Sequence, residues 1–123
     1  MIEYRKHITR KDLQNEPDKV FVFGDNLQRR GLGGQAREMR GEPNAVGIPT
    51  KKAPSMAESS FFTDKDYEMF RQHVKPNVDF LLAFDGTIVW PQDGIGTGLA
   101  QLPERASKIW EYIENLRIML EER

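Results

Sequence analysis

The order of segments in this 123-residue chain predicts an α/β fold, with helices packed on a largely parallel or mixed sheet. Three observations carry that reading. Val20-Phe21-Val22-Phe23 is a continuous apolar, β-favouring run, the pattern of a strand covered on both faces. Two glycine-rich segments each follow an apolar run and precede a helix-forming stretch. The chain closes on Ala106, Ile109, Trp110, Ile113, Leu116 and Leu120, an apolar stripe at helical spacing with Glu and Arg opposite.

In chain order, Tyr4 to Ile8 reads as a short strand. Thr9 caps a helix over Lys11 to Asn15, which Pro17 ends. Val20 to Phe23 is the buried strand, and a polar loop, Gly24 to Gly34, follows it. Gln35 to Arg40 forms a short helix that Gly41 stops. Ala45 to Thr50 is a second strand with Pro49 at its end, and Lys51 to Ser60 an irregular loop. Thr63 caps a helix through His73, with Tyr67, Phe70 and Val74 at helical spacing, and Pro76-Asn77 breaks it. Val78 to Phe84 fits a helix or a strand, since periodicity does not decide between them. Thr87 to Trp90 is a third strand. Pro103 suits the first turn of the final helix, whose stripe, Trp110 included, is read as core.

Composition narrows the function classes. A net charge of −1 gives no electrostatic pull toward polyanions, so nonspecific nucleic-acid binding is not expected. Without cysteine there is no disulfide, no thiol nucleophile and no thiolate zinc site. The segment Met1 to Lys6 has no apolar stretch of the kind a secretory signal needs, and no apolar run approaches the ~20 residues of a membrane span. The expectation is one small cytoplasmic domain over residues 1–123.

Seven of the ten glycines fall in two places: Gly24, Gly31, Gly33 and Gly34, then Gly94, Gly96 and Gly98. Both groups lie after a strand and before a helix, where open α/β sheets bind ligands. Glycine allows tight turns and close approach of backbone N–H groups, and successive N–H groups at a helix start favour anions. Two such loops could hold the two ends of a diphosphate-containing molecule. The candidate binding residues are Gly24, Asp25, Asn26, Gly31, Gly33, Gly34, Gly94, Ile95, Gly96, Thr97 and Gly98.

Standard nucleotide motifs do not fit. GxxxxGK[ST] is absent, and Gly31-Leu32-Gly33-Gly34-Gln35-Ala36 matches GxGxxA too far past its strand for a Rossmann turn. His7 and His73 lack ligand-spaced partners and read as surface or packing residues, so no metal or cofactor is expected. Asp25-Asn26 at a strand end suits hydroxyl or amide-edge recognition, although Asp and Asn also favour turns by themselves. Arg29 and Arg30 read as solvated. Lys51, just past a strand, could pair with phosphate or act as a nucleophile if desolvation lowers its pKa. Asp93 opens the second loop and could handle protons or contact a ribose. Asp85 reads as a turn residue, and Glu104 as a complement to the helix dipole.

Taken together, these segments resemble a compact macro domain, the module that binds ADP-ribose. Asn26 to Ala36 resembles the family's stretch of asparagine, glycine pair and helix. There the loop cradles the distal ribose and the Asn contacts it. Gly94-Ile95-Gly96-Thr97-Gly98-Leu99 resembles the second loop, which wraps the diphosphate. Ile48-Pro49-Thr50-Lys51-Lys52-Ala53 resembles the terminal ADP-ribose protein glycohydrolases, in which the first lysine of Ile-Thr-Lys-Lys attacks the ribose anomeric carbon. That lysine falls on Lys51. Val22 to Leu27 followed by Gly-Gly is also similar to small phage and bacterial macro-like proteins. Two departures stand out: Ala100 occupies the position of the glycohydrolases' catalytic Asp, and the Gly-Asp-Ile start is missing.

The resemblance implies a minimal three-layer α/β/α macro-like fold with a central mixed sheet. It implies binding of ADP-ribose or a related NAD-derived nucleotide, with no cofactor. One alternative is an ADP-ribosyl glycohydrolase acting on an ADP-ribosylated macromolecule, with Lys51 as nucleophile and Asp93 or Asp25 handling protons. Another is a non-enzymatic phage-type factor that sequesters a nucleotide signal or blocks a host protein.

Overall fold

A computed structural model describes residues 1–123. Its four strands, β1 (Ile2–Arg5), β2 (Val20–Asn26), β3 (Ala45–Lys51) and β4 (Ile88–Pro91), form one sheet in the order β1-β4-β2-β3. Five helices accompany them: α1 (Arg10–Asn15), α2 (Ala36–Met39), α3 (Tyr67–Ala83), α4 (Leu102–Arg105) and α5 (Ser107–Glu121). All three strand pairings are parallel, which corrects the expected mixed sheet. The cause is connectivity. Each strand returns to the next through a helix, and such a crossover brings the following strand in parallel. The one antiparallel element is an isolated bridge between Lys51 and Phe61.

The alternation of β2 divides the core. Val20 and Val22 face a large cluster with Phe70, Val74 and Leu81 of α3 and Ile109, Ile113, Leu116 and Leu120 of α5. Phe21 and Phe23 face a smaller one with Ile8, Leu13 of α1, and Ala36 and Met39 of α2. Helices therefore cover both faces, and three layers result. The final stripe is core as expected, with Trp110 partly buried against it.

Several boundaries differ from expectation for identifiable reasons. The first strand runs from Ile2 to Arg5 because its only partner, β4, offers four rungs, from Ile2 opposite Ile88 to Arg5 opposite Pro91. Ile8 lies beyond it and is buried in the smaller cluster. Thr63 caps a 3₁₀ turn, Asp64–Asp66, rather than α3 itself. Pro76 does not break α3, which continues to Ala83 and settles the open assignment of Val78 to Phe84 as helix. The bond Pro76 cannot donate is lost on the solvent face, while Val74, Val78 and Leu81 keep their packing. On the other side of α3, Asn77 Nδ2 donates to the Gly47 carbonyl at 2.7 Å. Pro103 belongs to the separate one-turn helix α4, because Ala106 (φ −148°, ψ 67°) leaves helical geometry before α5 starts. Pro49 sits inside β3, which tolerates it as an edge strand.

This topology creates a crevice. From β2 the chain turns to α2 on the face of the smaller cluster, and from the adjacent β4 it turns to α4 and α5 on the opposite face. Where two neighbouring parallel strands send their connections to opposite faces, the loops splay apart at the carboxyl ends. No helix is long and apolar enough to cross a membrane.

Candidate functional site

A cleft of about 580 Å³ opens at that point. It brings together every candidate residue read from the sequence: Lys51, Asp93, Gly24, Asp25, Asn26, Gly31, Gly33, Gly34, and Gly94 through Gly98. Gly24, Asp25 and Asn26 are the last residues of β2 rather than the start of the loop. The expected strand end at Phe23 is therefore three residues short. The pairing with β3 continues past it, with a register shift between Asp25 and Asn26.

Asp25 is held in an ion pair. Arg40 Nη2 lies 2.6 Å from its Oδ1 and Nη1 3.3 Å from its Oδ2, and the Asn26 N–H donates to Oδ1 at 2.8 Å. The carboxylate fits because β3 carries no side chain at Gly47, where a Cβ would stand 2.8 Å from Oδ2. The same guanidinium donates to the Gly31 carbonyl at 2.9 Å and the Arg30 carbonyl at 3.2 Å. Buried Asn26 uses both ends of its amide inside the loop: Nδ2 donates to the Arg30 carbonyl at 2.7 Å, and Oδ1 accepts from the Gln28 N–H at 3.0 Å. These contacts spend the loop's carbonyls and leave its amides. No backbone N–H from Arg30 to Gln35 donates within the chain.

The second loop follows the same rule. Gly94 (φ +94°) and Gly96 (φ +85°) take conformations that disfavour other residues. The Gly96 and Gly98 carbonyls accept from the N–H groups of Leu102 and Gln101, and Thr97 Oγ1 donates to the Asp93 carbonyl at 2.7 Å. Every N–H from Ile95 to Ala100 is left without an acceptor in the chain. The side chains of Ile95 and Ala100 are buried in the large cluster and anchor the loop, so Ile95 offers a ligand its backbone alone. Both following helices, α2 and α4, are one turn long, so the anion site expected from helix starts reduces to the loop amides.

Lys51 ends β3 with its Nζ 4.7 Å from the centre of the Phe61 ring, and it donates to the Ser55 carbonyl. Burial and then the Arg105 guanidinium pull its pKa below the ordinary lysine value. Arg105 also lies over the Phe61 ring, 3.8 Å from its centre, and pairs with Glu58. No carboxylate pairs with Lys51; Asp93 is exposed and outside every ion pair. His7 and His73 are exposed.

Sequence reasoning missed Lys6 and Arg40. They join Arg30 and Lys51 in lining the cleft, so four cations face two carboxylates in a chain of net charge −1. An arginine directly before the helix-stopping Gly41 was the available signal for Arg40. Three exposed apolar side chains, Leu32, Met56 and Leu99, come one from each surrounding loop to the cleft. The model of a family of unknown function, DUF7831, matches residues 3–116. No curated protein matches the chain, and no solved structure does.

Proposed function

The chain belongs to the DUF7831 family, and we propose that its cleft binds ADP-ribose or a related NAD-derived nucleotide. One observation carries the reading. Two runs of six backbone N–H groups, Arg30 to Gln35 and Ile95 to Ala100, have no acceptor in the chain and flank one cleft at the switch point of a parallel sheet. Unspent amides with a surplus of cationic side chains suit a small polyanion, and spacing on two separate loops suits an extended one. The volume, about 580 Å³, lies within the ~300–1,000 Å³ of small-molecule sites. The resemblance of these loops to those of macro domains supports ADP-ribose within that class.

Ligand-dependent melting tests the reading, because a ligand that binds only the folded state stabilises it by mass action. ADP-ribose at millimolar concentration is expected to raise the Tm more than ATP, NAD or cyclic ADP-ribose does. No shift with any of the four removes the nucleotide reading.

A hydrolase reading draws on Lys51 alone, an amine in the cleft with a weakened hold on its proton. With Ala100 at the glycohydrolase acid position and Asp25 paired to Arg40, Asp93 is the carboxylate left for proton transfer. Release of ADP-ribose from a modified protein that stops in Lys51→Ala, with folding retained, would establish that activity.

A further inference from the structure

Three apolar side chains stand exposed on the cleft, one on each loop that walls it: Leu32 at 64%, Met56 at 54% and Leu99 at 68% of full exposure. Apart from Met1 at the terminus, Leu99 and Leu32 are the most exposed large apolar side chains of the chain. Such residues scattered singly are ordinary, whereas several on one concave surface mark a binding groove. These three are also tied to the polar groups of the cleft. Leu32 belongs to the first run of unspent amides and Leu99 to the second, so each carries a free N–H beside its own side chain. Met56 Sδ lies 3.6 Å from Lys51 Nζ. Two of the three loops touch: a Cβ at Gly31 would stand 2.9 Å from the Pro54 Cβ. Leu32 lies one residue beyond this contact and Met56 two.

A bare polyanion on the amides would leave all three side chains in water beside it. A ligand with a flat, weakly polar group next to its phosphates would cover them. We infer that Leu32, Met56 and Leu99 form the subsite for the adenine base of the nucleotide, an inference that rests on the reading proposed above. No aromatic side chain lines the cleft, so aliphatic and thioether contacts take the place of ring stacking. Methionine suits this use, because its flexible, polarisable thioether packs well on aromatic rings. The covered area supplies the affinity. The division sets each part of the nucleotide beside groups of matching chemistry: phosphates on amides and cations, the heterocycle on apolar side chains from the same loops.

Methyl groups report on this subsite directly. The experiment labels the Leu and Met methyl groups of the intact protein and adds ADP-ribose. Nuclear Overhauser contacts are expected between the adenine ring protons and the methyl groups of Leu32, Met56 and Leu99. Calorimetry supplies the energetic counterpart. Leu32→Ser and Leu99→Ser alter exposed side chains and should leave the Tm unchanged. Each is expected to weaken ADP-ribose about three- to tenfold and to leave the affinity of pyrophosphate, which has no base, as it was. ADP-ribose that binds without any adenine contact to the three methyl sites, or with undiminished affinity in both variants, overturns the base subsite and leaves the nucleotide reading standing. Equal weakening of pyrophosphate does the same, since the side chains then act only through the loop amides. Absence of any ADP-ribose binding overturns both. The methyl contacts of the parent protein decide the matter even if a variant folds poorly.

Discussion

Arg40 reaches from the end of α2 to the Asp25 carboxylate at the end of β2, 2.6 Å from Nη2 to Oδ1, with both side chains largely shielded from water. The guanidinium also holds two carbonyls of the first glycine loop, so one residue fixes both the acid and the loop. Arg40→Ala should destabilise the fold by about 2 kcal/mol, the scale of hydrogen bonds to charged groups, read from urea unfolding. It should also weaken ADP-ribose binding, since the loop loses its tether. Unchanged affinity in a folded Arg40→Ala protein would show that the first loop is held by other contacts.

Glycines of the two loops should separate into two classes. A Cβ at Gly96 would collide with Leu102, whose Cγ would lie at 2.9 Å, and φ of +85° strains any other residue. Gly96→Ala should therefore cost about 3 kcal/mol of stability, measured by urea unfolding. At Gly33 and Gly98 a Cβ would meet nothing within 4 Å. Their alanine variants should stay within about 0.5 kcal/mol of the parent and yet lose nucleotide affinity, because the methyl group stands where the ligand approaches the amides. Retained affinity in both variants would place the ligand away from these two glycines.

The contrast among glycines also shows how far the sequence was legible. Strand–loop–helix order is a local pattern, so it revealed both loops and the residues of one cleft. Pairing direction is not local. The all-parallel sheet follows from three crossovers taken together, whereas single runs such as Ala45 to Thr50 read the same either way. Pro76 misled because a proline's lost bond matters by the face it falls on, and that depends on where α3 packs. Arg40 and Gly47 become readable only once β2, β3 and α2 meet around Asp25.

Acid should unfold the protein partly through Glu16. Its carboxylate accepts from Arg5 at 2.6 Å through each oxygen, and Lys19 lies 2.9 Å away. The Arg5 hydrogen bonds, then that of Lys19, lower its pKa from the ordinary 4.5 to about 2. The folded state thus binds this proton more weakly than the unfolded chain does. The resulting stabilisation is complete above about 4.5 and is lost as pH falls toward about 2. Urea unfolding free energies across that window should fall less steeply in Glu16→Gln than in the parent. Parallel curves would assign the acid sensitivity to other carboxylates.

The charge of Lys51 should make ligand affinity fall on the alkaline side. Burial, and secondarily Arg105, lower its pKa, so its ammonium is lost at a lower pH than that of an exposed lysine. If the ammonium faces a ligand phosphate, ADP-ribose affinity declines as pH rises through that depressed pKa. Calorimetry across the alkaline range should show the decline in the parent and a flat, weaker profile in Lys51→Met. Arg105→Gln removes the second cause while Gln101, Phe61 and the Lys51 backbone remain, and should move the decline to higher pH. A decline that persists unchanged in Lys51→Met would show that another group supplies the titrating charge and that Lys51 stands apart from the bound phosphates.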